Sequence, residues 1–311
     1  PAALISVLRK ATLVALLSSL VFFASGYGLT LSFGYSQMDS LVIGLAMMFS
    51  STIIALKLLP TTVLHHKHIG ELMIGLLLIQ DLLAILSLIL LGVISGESKM
   101  PVWQPFVALP LLIAACYLIV KGLLLPLIGR FDRYQEYLFI LAIGWCLAVA
   151  EAAKLVGLTY EIGAFIAGVT LATSPIAQFI AISLKPLRDF FLVMFFFALG
   201  ASFNLGLLPS VALPAALLAL LALTIKPVTF RYLLAGFSER RALAWDVGFR
   251  LGQISEFSLL IAFVALQSQL LSEQGSALIQ ATAIITFAIS SYIVVFNYPN
   301  PIAVKDELRR D

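Results

Sequence analysis

Charge is what this sequence has least of. Only 11% of its 311 residues are Asp, Glu, Lys or Arg, where a soluble globular domain carries about 25%. With 61% hydrophobic residues and a mean hydropathy of +1.08, this excludes a soluble domain and reads as an integral membrane protein. Cysteine is almost missing as well. Cys116 and Cys146 both lie inside apolar runs, where they read as small core hydrophobes and argue against a disulfide framework. The three histidines all fall in one stretch, at His65, His66 and His68. No cysteine or suitably spaced acid accompanies them to complete a metal site, so the stretch reads as a solvated turn. Gly-rich phosphate loops, GxSxG and HExxH are absent, leaving no case for an enzyme or a bound cofactor. The net charge of +3 is small and gives no argument for nucleic acid. The chain starts at Pro1, with neither a methionine nor a signal-peptide pattern; it is expected to begin inside a longer protein.

What the sequence does have is long apolar runs. Runs of about 20 residues predict membrane-spanning helices, because a strand of a barrel would show about 10 residues of alternating polarity. About ten segments follow: Lys10–Gly26, Ser40–Leu59, Ile69–Ser95, Val102–Ile128, Gln135–Val156, Tyr160–Thr173, Pro186–Phe203, Val211–Leu234, Leu243–Gln269 and Ser276–Phe296. Basic residues cluster at alternate connections, including Arg9, Lys10, Lys57, Lys67, Arg130, Arg133, Lys185, Arg188, Arg231, Arg240 and Arg241. The opposite connections carry only Lys99; Lys154, near the end of the fifth segment, is one further exception. By the positive-inside rule the basic side, and the C-terminus, are cytoplasmic. The first three and last three segments share a plan, with an interrupted middle member. The first members of the two trios are about seven segments apart, an odd offset, which predicts inverted-topology repeats of the kind found in secondary transporters.

The polar residues at depth carry the functional argument. Gln80 and Asp81 lie near the centre of Ile69–Ser95, where an ionised carboxylate costs at least about 2.5–3.5 kcal/mol. Such a group usually faces protein or water and carries protons or ions. Ser50, Ser51 and Thr52 interrupt the second segment. Their hydroxyls either back-bond harmlessly to helix carbonyls or belong to an unwound stretch that offers oxygen ligands to a cation. Gly252, Gln253, Ser255 and Glu256 form a similar polar run in Leu243–Gln269, suited to a second helix break. Glu256 is either a structural partner of a helix end or part of an ion pathway. Lys226, next to Pro227, either snorkels to the cytoplasmic side or faces the core, where it could pair with a carboxylate. Arg250 lies one turn after Asp246, the spacing of a helical ion pair.

Five stretches, SSTIIALKLL (Ser50–Leu59), LLLIQDLLAI (Leu76–Ile85), YEIGAFIAGVTLATS (Tyr160–Ser174), KPLRDFFLVMFFFALGASFN (Lys185–Asn204) and GQISEFSLLIAF (Gly252–Phe263), resemble in this order the Kef-type branch of the monovalent cation:proton antiporter-2 family. The resemblance implies an all-α sodium/proton antiporter-like fold, with two broken helices crossing in a mobile core. That core maps mainly to residues 40–95 and 211–269, with the other helices as scaffold or linker. It also implies a homodimer in a bacterial inner membrane, about three further helices before Pro1, and a cytosolic nucleotide-binding regulatory domain after Asp311. Two positions depart from the family pattern: Ser255 stands where glycine is usual, and Arg250 where a small residue is common.

By the same resemblance, Asp81 binds a cation and protons alternately. Gln80, Ser50, Ser51 and Thr52 surround it, with Lys226, Glu256, Gln253 and Ser255 supporting. Gln-Asp at 80–81 is typical of the potassium branch, so K⁺ is the expected substrate, exchanged for H⁺, with Na⁺ as the alternative. A ligand-gated K⁺ conduit is a reading from another class. An intramembrane aspartyl protease would need two facing aspartates, and Asp81 is the single aspartate at mid-depth.

Overall fold

A computed structural model of the chain describes residues 2–59, 68–95, 104–131, 135–172, 174, 177–301, 303 and 305–309. His65, His66, Lys67, Lys99, Arg133 and Arg310 lie outside them. The helices are α1 (Ala2–Ser32), α2 (Gln37–Met47), α3 (Thr52–Lys57), α4 (His68–Ile94) and α5 (Gln104–Ile119). A π-helical turn, Val120–Leu124, joins α5 to α6 (Leu125–Phe131). There follow α7 (Gln135–Leu155), α8 (Tyr160–Ala172), α9 (Ala177–Ser202), α10 (Leu208–Gly236), α11 (Arg241–Arg250), α12 (Glu256–Gln267) and α13 (Glu273–Asn297). No strand is found among the described residues, apart from one isolated bridge between Asn300 and Arg309.

Among the described residues seven stretches are long and apolar enough to cross a membrane: Arg9–Ser32, Gln37–Lys57, His68–Ile94, Val107–Arg130, Glu136–Leu155, Leu205–Gly236 and Glu273–Asn297. Burial of backbone polar groups in lipid requires them to be helical. One boundary differs clearly from expectation. The segment predicted to start at Pro186 is the second half of α9, which begins at Ala177 and runs through the proline. Pro186 removes one backbone donor without ending the helix.

The chain divides into two compact units, Pro1–Ser87 with Phe203–Asp311, and Leu88–Ser202. In the second unit α7 and α8 form a close hairpin. A Cβ on Gly163 would sit 2.6 Å from Val149 O and Ala150 Cα, so only glycine permits the approach. The Trp145 indole donates to Ala167 O across the same pair at 3.3 Å.

The first unit holds all the residues singled out at depth. Its apolar core joins α1 (Ala11, Val14, Ala15, Phe22), α4 (Leu72, Met73, Leu76, Leu77), α10 (Phe230, Leu234) and α11 (Ala244, Val247). The unit includes α1 and α13 as well as residues 40–87 and 211–269, while residues 88–95 fall in the other unit. Gly248 of α11 faces the backbone of Pro227 in α10, and a Cβ there would lie 2.8 Å from Pro227 Cα and O. That approach brings the C-terminal end of α11 against the turn of α10 that carries Lys226.

Candidate functional site

Two helices of this unit are interrupted where the sequence places polar residues. The first breaks between Met47 and Thr52, and the second between Arg250 and Glu256. A break inside an apolar bundle leaves amides and carbonyls without helical partners, and each must find another. The partners are largely the residues named from sequence. The Ser50 amide donates to Gln80 Oε1 at 3.0 Å, and the Ser50 hydroxyl donates to Leu251 O at 2.8 Å. Gln253 Nε2 reaches Ser51 O at 3.4 Å, and the Ser258 hydroxyl donates to Ala46 O. The two interruptions are therefore bonded directly to one another.

Each new half-helix is also capped. Ser51 precedes α3 and accepts from the Ile54 amide. Ser255 precedes α12, where it and Ser258 form a reciprocal capping box, an arrangement that satisfies two otherwise orphaned amides. A serine at 255, where a glycine is usual in the family pattern, thus has a local reason: its hydroxyl caps α12.

Charges lie at both poles of the pairing. Lys226 is fully buried, and its ammonium donates to Phe49 O at 2.6 Å, Gln253 O at 3.0 Å and Ser50 Oγ at 3.4 Å. It also lies 5.1 Å from the centre of the Phe22 ring, within cation–π range. Lys226 faces the core, as one of the two readings has it, but its partners are carbonyl and hydroxyl oxygens; it makes no ion pair with a carboxylate among the described residues. The carbonyl ends of α2 and α11 carry partial negative charge, which the ammonium answers. At the opposite pole the Glu256 carboxylate lies beside Ser51, Thr52 and Ile53 at the start of α3. Its Oε2 is buried and has no hydrogen-bond partner.

Asp81 stands beside this second pole, at the centre of the 27-residue α4. Its Oδ1 accepts from the Thr52 hydroxyl at 3.4 Å. Asp81 forms no ion pair among the described residues. Neighbouring Gln80 is 1% exposed, and its Nε2 has no hydrogen-bond partner. Gln80 and Ser50 thus engage their oxygens in bracing the pairing, whereas Thr52 and Asp81 bring two oxygens together beside the first interruption. Oxygen atoms are the ligands a hard cation takes. No group of three or more His, Cys, Asp or Glu side chains able to hold a metal ion occurs among the described residues.

Three contributors escaped the sequence reading. Thr286 of α13 accepts from the Ile254 amide at 3.4 Å, and Ser290, one turn later, donates to Gln253 Oε1 at 2.8 Å. Both are hydroxyls in a largely apolar helix, a pattern that back-bonding explains equally well. Gly248 carries no chemistry of its own, and nothing in its neighbours announces the approach to Pro227. Arg250 also does more than pair with Asp246, to which it donates at 2.6 Å. It is buried and also donates to Leu58 O at 2.7 Å and Pro299 O at 2.8 Å, tying the end of α3 to the segment after α13. That network accounts for an arginine at a position where a small residue is common.

Several known proteins are similar to this chain over most of its length. YbaL of Escherichia coli (strain K12), whose name describes a cation/proton antiporter, is 28% identical over 280 residues, covering 85% of this chain and 50% of its own length. K(+) efflux antiporter 6 of Arabidopsis thaliana is 26% identical over 271 residues, with 83% and 45% covered. The iron transporter MagA of Paramagnetospirillum magneticum (strain ATCC 700264 / AMB-1) is 24% identical over 263 residues, with 83% and 60% covered. The chain spans about half the length of the first two of these relatives. Residues 1–296 match the transmembrane sodium/hydrogen exchanger family, and the chain is an integral membrane protein belonging to that family.

Proposed function

We propose that this chain is the membrane domain of a secondary transporter that exchanges a monovalent cation, K⁺ in preference to Na⁺, for H⁺ by alternating access. The observation that carries this reading is Asp81: a carboxylate at the centre of a spanning helix, beside an unwound stretch, with no cation paired to it among the described residues. From one side a cation displaces the proton, and from the other a proton displaces the cation. Neither the charged, empty carboxylate nor the doubly occupied site crosses. The first is costly to move through a dry gap, and the second is prevented by competition for one group. Asp81, Thr52, Ser51 and the free oxygen of Glu256 supply ligands that offset partial dehydration of the cation, while Gln80, Ser50, Gln253, Ser255 and Lys226 hold the two interruptions in place.

The names of the K(+) efflux antiporters and the Gln80-Asp81 pair support potassium; Na⁺ is the alternative substrate. In the same reading the ten segments form inverted repeats, residues 40–95 and 211–269 make up most of the ion-carrying core, and the remaining helices are scaffold or linker. The working unit is a homodimer in a bacterial inner membrane, its C-terminus cytoplasmic and followed by a nucleotide-binding regulatory domain.

The test is proton exchange in proteoliposomes made with the full-length protein. A pH-sensitive dye follows dissipation of a preset gradient on adding KCl, NaCl or choline chloride. The reading predicts a response to KCl above NaCl that vanishes in Asp81→Asn. A sodium-dominated response overturns the K⁺ preference alone, and an Asp81→Asn protein that still exchanges overturns the assignment.

A further inference from the structure

The second interruption lies against α13, which presents two buried hydroxyls one turn apart. Thr286 is fully buried and Ser290 is 1% exposed. Thr286 accepts from the Ile254 amide while donating to Ala283 O at 3.1 Å in its own helix, so its hydroxyl is used in both directions. Ser290 has a single proton and two acceptors in reach, Gln253 Oε1 at 2.8 Å and Phe249 O at 3.3 Å. The nearer and better-placed one is the glutamine.

This bond decides which way the Gln253 amide faces. Gln253 is fully buried, and its Nε2 points to Ser51 O. A carbonyl is an acceptor only, so the reversed amide would set two oxygens against each other. With the oxygen end held by Ser290, the nitrogen end is directed at Ser51. Ser51 in turn caps α3 and is followed by Thr52, which donates to Asp81. A chain of hydrogen bonds thus runs Ser290, Gln253, Ser51 and, one residue on, Thr52 to Asp81.

We propose that Ser290 is a positioning residue for the cation site: by orienting the Gln253 amide it fixes the first turn of α3, and with it the oxygens beside Asp81, without touching the ion itself. Thr286 supports the second interruption, next to Gln253, by holding the Ile254 amide. The inference rests on the antiport reading above. Loss of the Ser290 hydroxyl leaves Gln253 Oε1 buried without its donor and frees the amide to turn. The oxygens that bind the cation then lose their fixed spacing, so binding suffers more than turnover.

The experiment is cation-dependent proton exchange by the full-length protein in proteoliposomes, with KM and kcat measured separately across pH. Ser290→Ala is expected to raise KM for the cation about three- to tenfold and to move the pH profile of KM, with kcat within about twofold of wild type. Ser290→Thr, which keeps a hydroxyl on the same face, restores both. Thr286→Val, near-isosteric and lacking the acceptor, shifts KM in the same direction and stands in if Ser290→Ala does not fold. An active wild type whose KM and pH profile are unchanged in Ser290→Ala and Thr286→Val overturns the positioning role and leaves the antiport reading intact. Equal loss of kcat in Ser290→Ala and Ser290→Thr reduces Ser290 to packing and also overturns it. A wild type with no cation-dependent exchange overturns the antiport reading itself, and this inference with it.

Discussion

Lys226 and Glu256 stand at opposite poles of one pairing: the ammonium of Lys226 takes the carbonyls of Phe49 and Gln253, and the carboxylate of Glu256 lies beside Thr52 and Ile53 at the start of α3. Two helices broken side by side in an apolar bundle expose acceptors at one pole and donors at the other. One fixed cation and one fixed anion answer them. Asp81, whose hydrogen bond among the described residues is the one from the Thr52 hydroxyl, stands outside this structural pairing of charges.

Removing the cationic pole should loosen both breaks at once. Lys226→Met keeps the length and apolar stem of the side chain but orphans Phe49 O and Gln253 O, at about 1–3 kcal/mol for each buried carbonyl left unpaired. The unfolding midpoint of the purified protein in detergent should fall clearly. A midpoint equal to wild type would mean that Lys226 does not hold the interruptions together.

Gly248 tests the close approach. A methyl placed 2.8 Å from the Pro227 backbone must push α10 and α11 apart, since the neighbouring atoms are backbone and cannot yield. Overpacking of this type costs about 1–3 kcal/mol. Gly248→Ala should lower the midpoint by a modest amount while reducing exchange strongly, because the displaced turn carries Lys226. Normal exchange in Gly248→Ala would show that the spacing is not needed.

A pH effect on stability is expected well away from the ion site. Glu239, in the turn between α10 and α11, accepts from His68 at 3.0 Å and Lys10 at 3.3 Å. Burial pushes its carboxyl upward, but the bonds and charges of His68 and Lys10 outweigh that and hold it below the ordinary glutamate value. A carboxylate so lowered adds stability above its unfolded value, about pH 4.3, and loses the contribution as pH falls through the lower folded value. The difference in midpoint between wild type and Glu239→Gln should therefore be full at pH 6 and close on acidification below about pH 4. A difference that widened on acidification would contradict the assignment.

Much of this was legible in the residues. Apolar runs of spanning length gave the helices, and the polar runs at Ser50–Thr52 and Gly252–Glu256 marked both interruptions, because backbone breaks in an apolar setting need polar side chains nearby. The bonding scheme was not legible. The acceptors of Lys226 are backbone carbonyls, which every residue has, so the sequence suggested a carboxylate partner instead. Ser290 and Thr286 resemble any back-bonded hydroxyl, and Gly248 matters only through a proline more than twenty positions away. His68 belongs to a stretch that reads as a solvated turn, yet its ring contacts Glu239 across the fold. Pro186 looked like a helix start because proline so often is one; in α9 it lies inside the helix.

The central claim is that proton and cation compete for Asp81, and its most direct test is the dependence of cation KM on pH. Exchange rates of the full-length protein in proteoliposomes would be measured over a range of K⁺ concentrations at several pH values. Competition predicts that acidification raises the apparent KM, approaching about tenfold per pH unit in the acidic limit, while the rate at saturating K⁺ is unchanged. A KM independent of pH, with the saturating rate alone falling on acidification, would contradict the account.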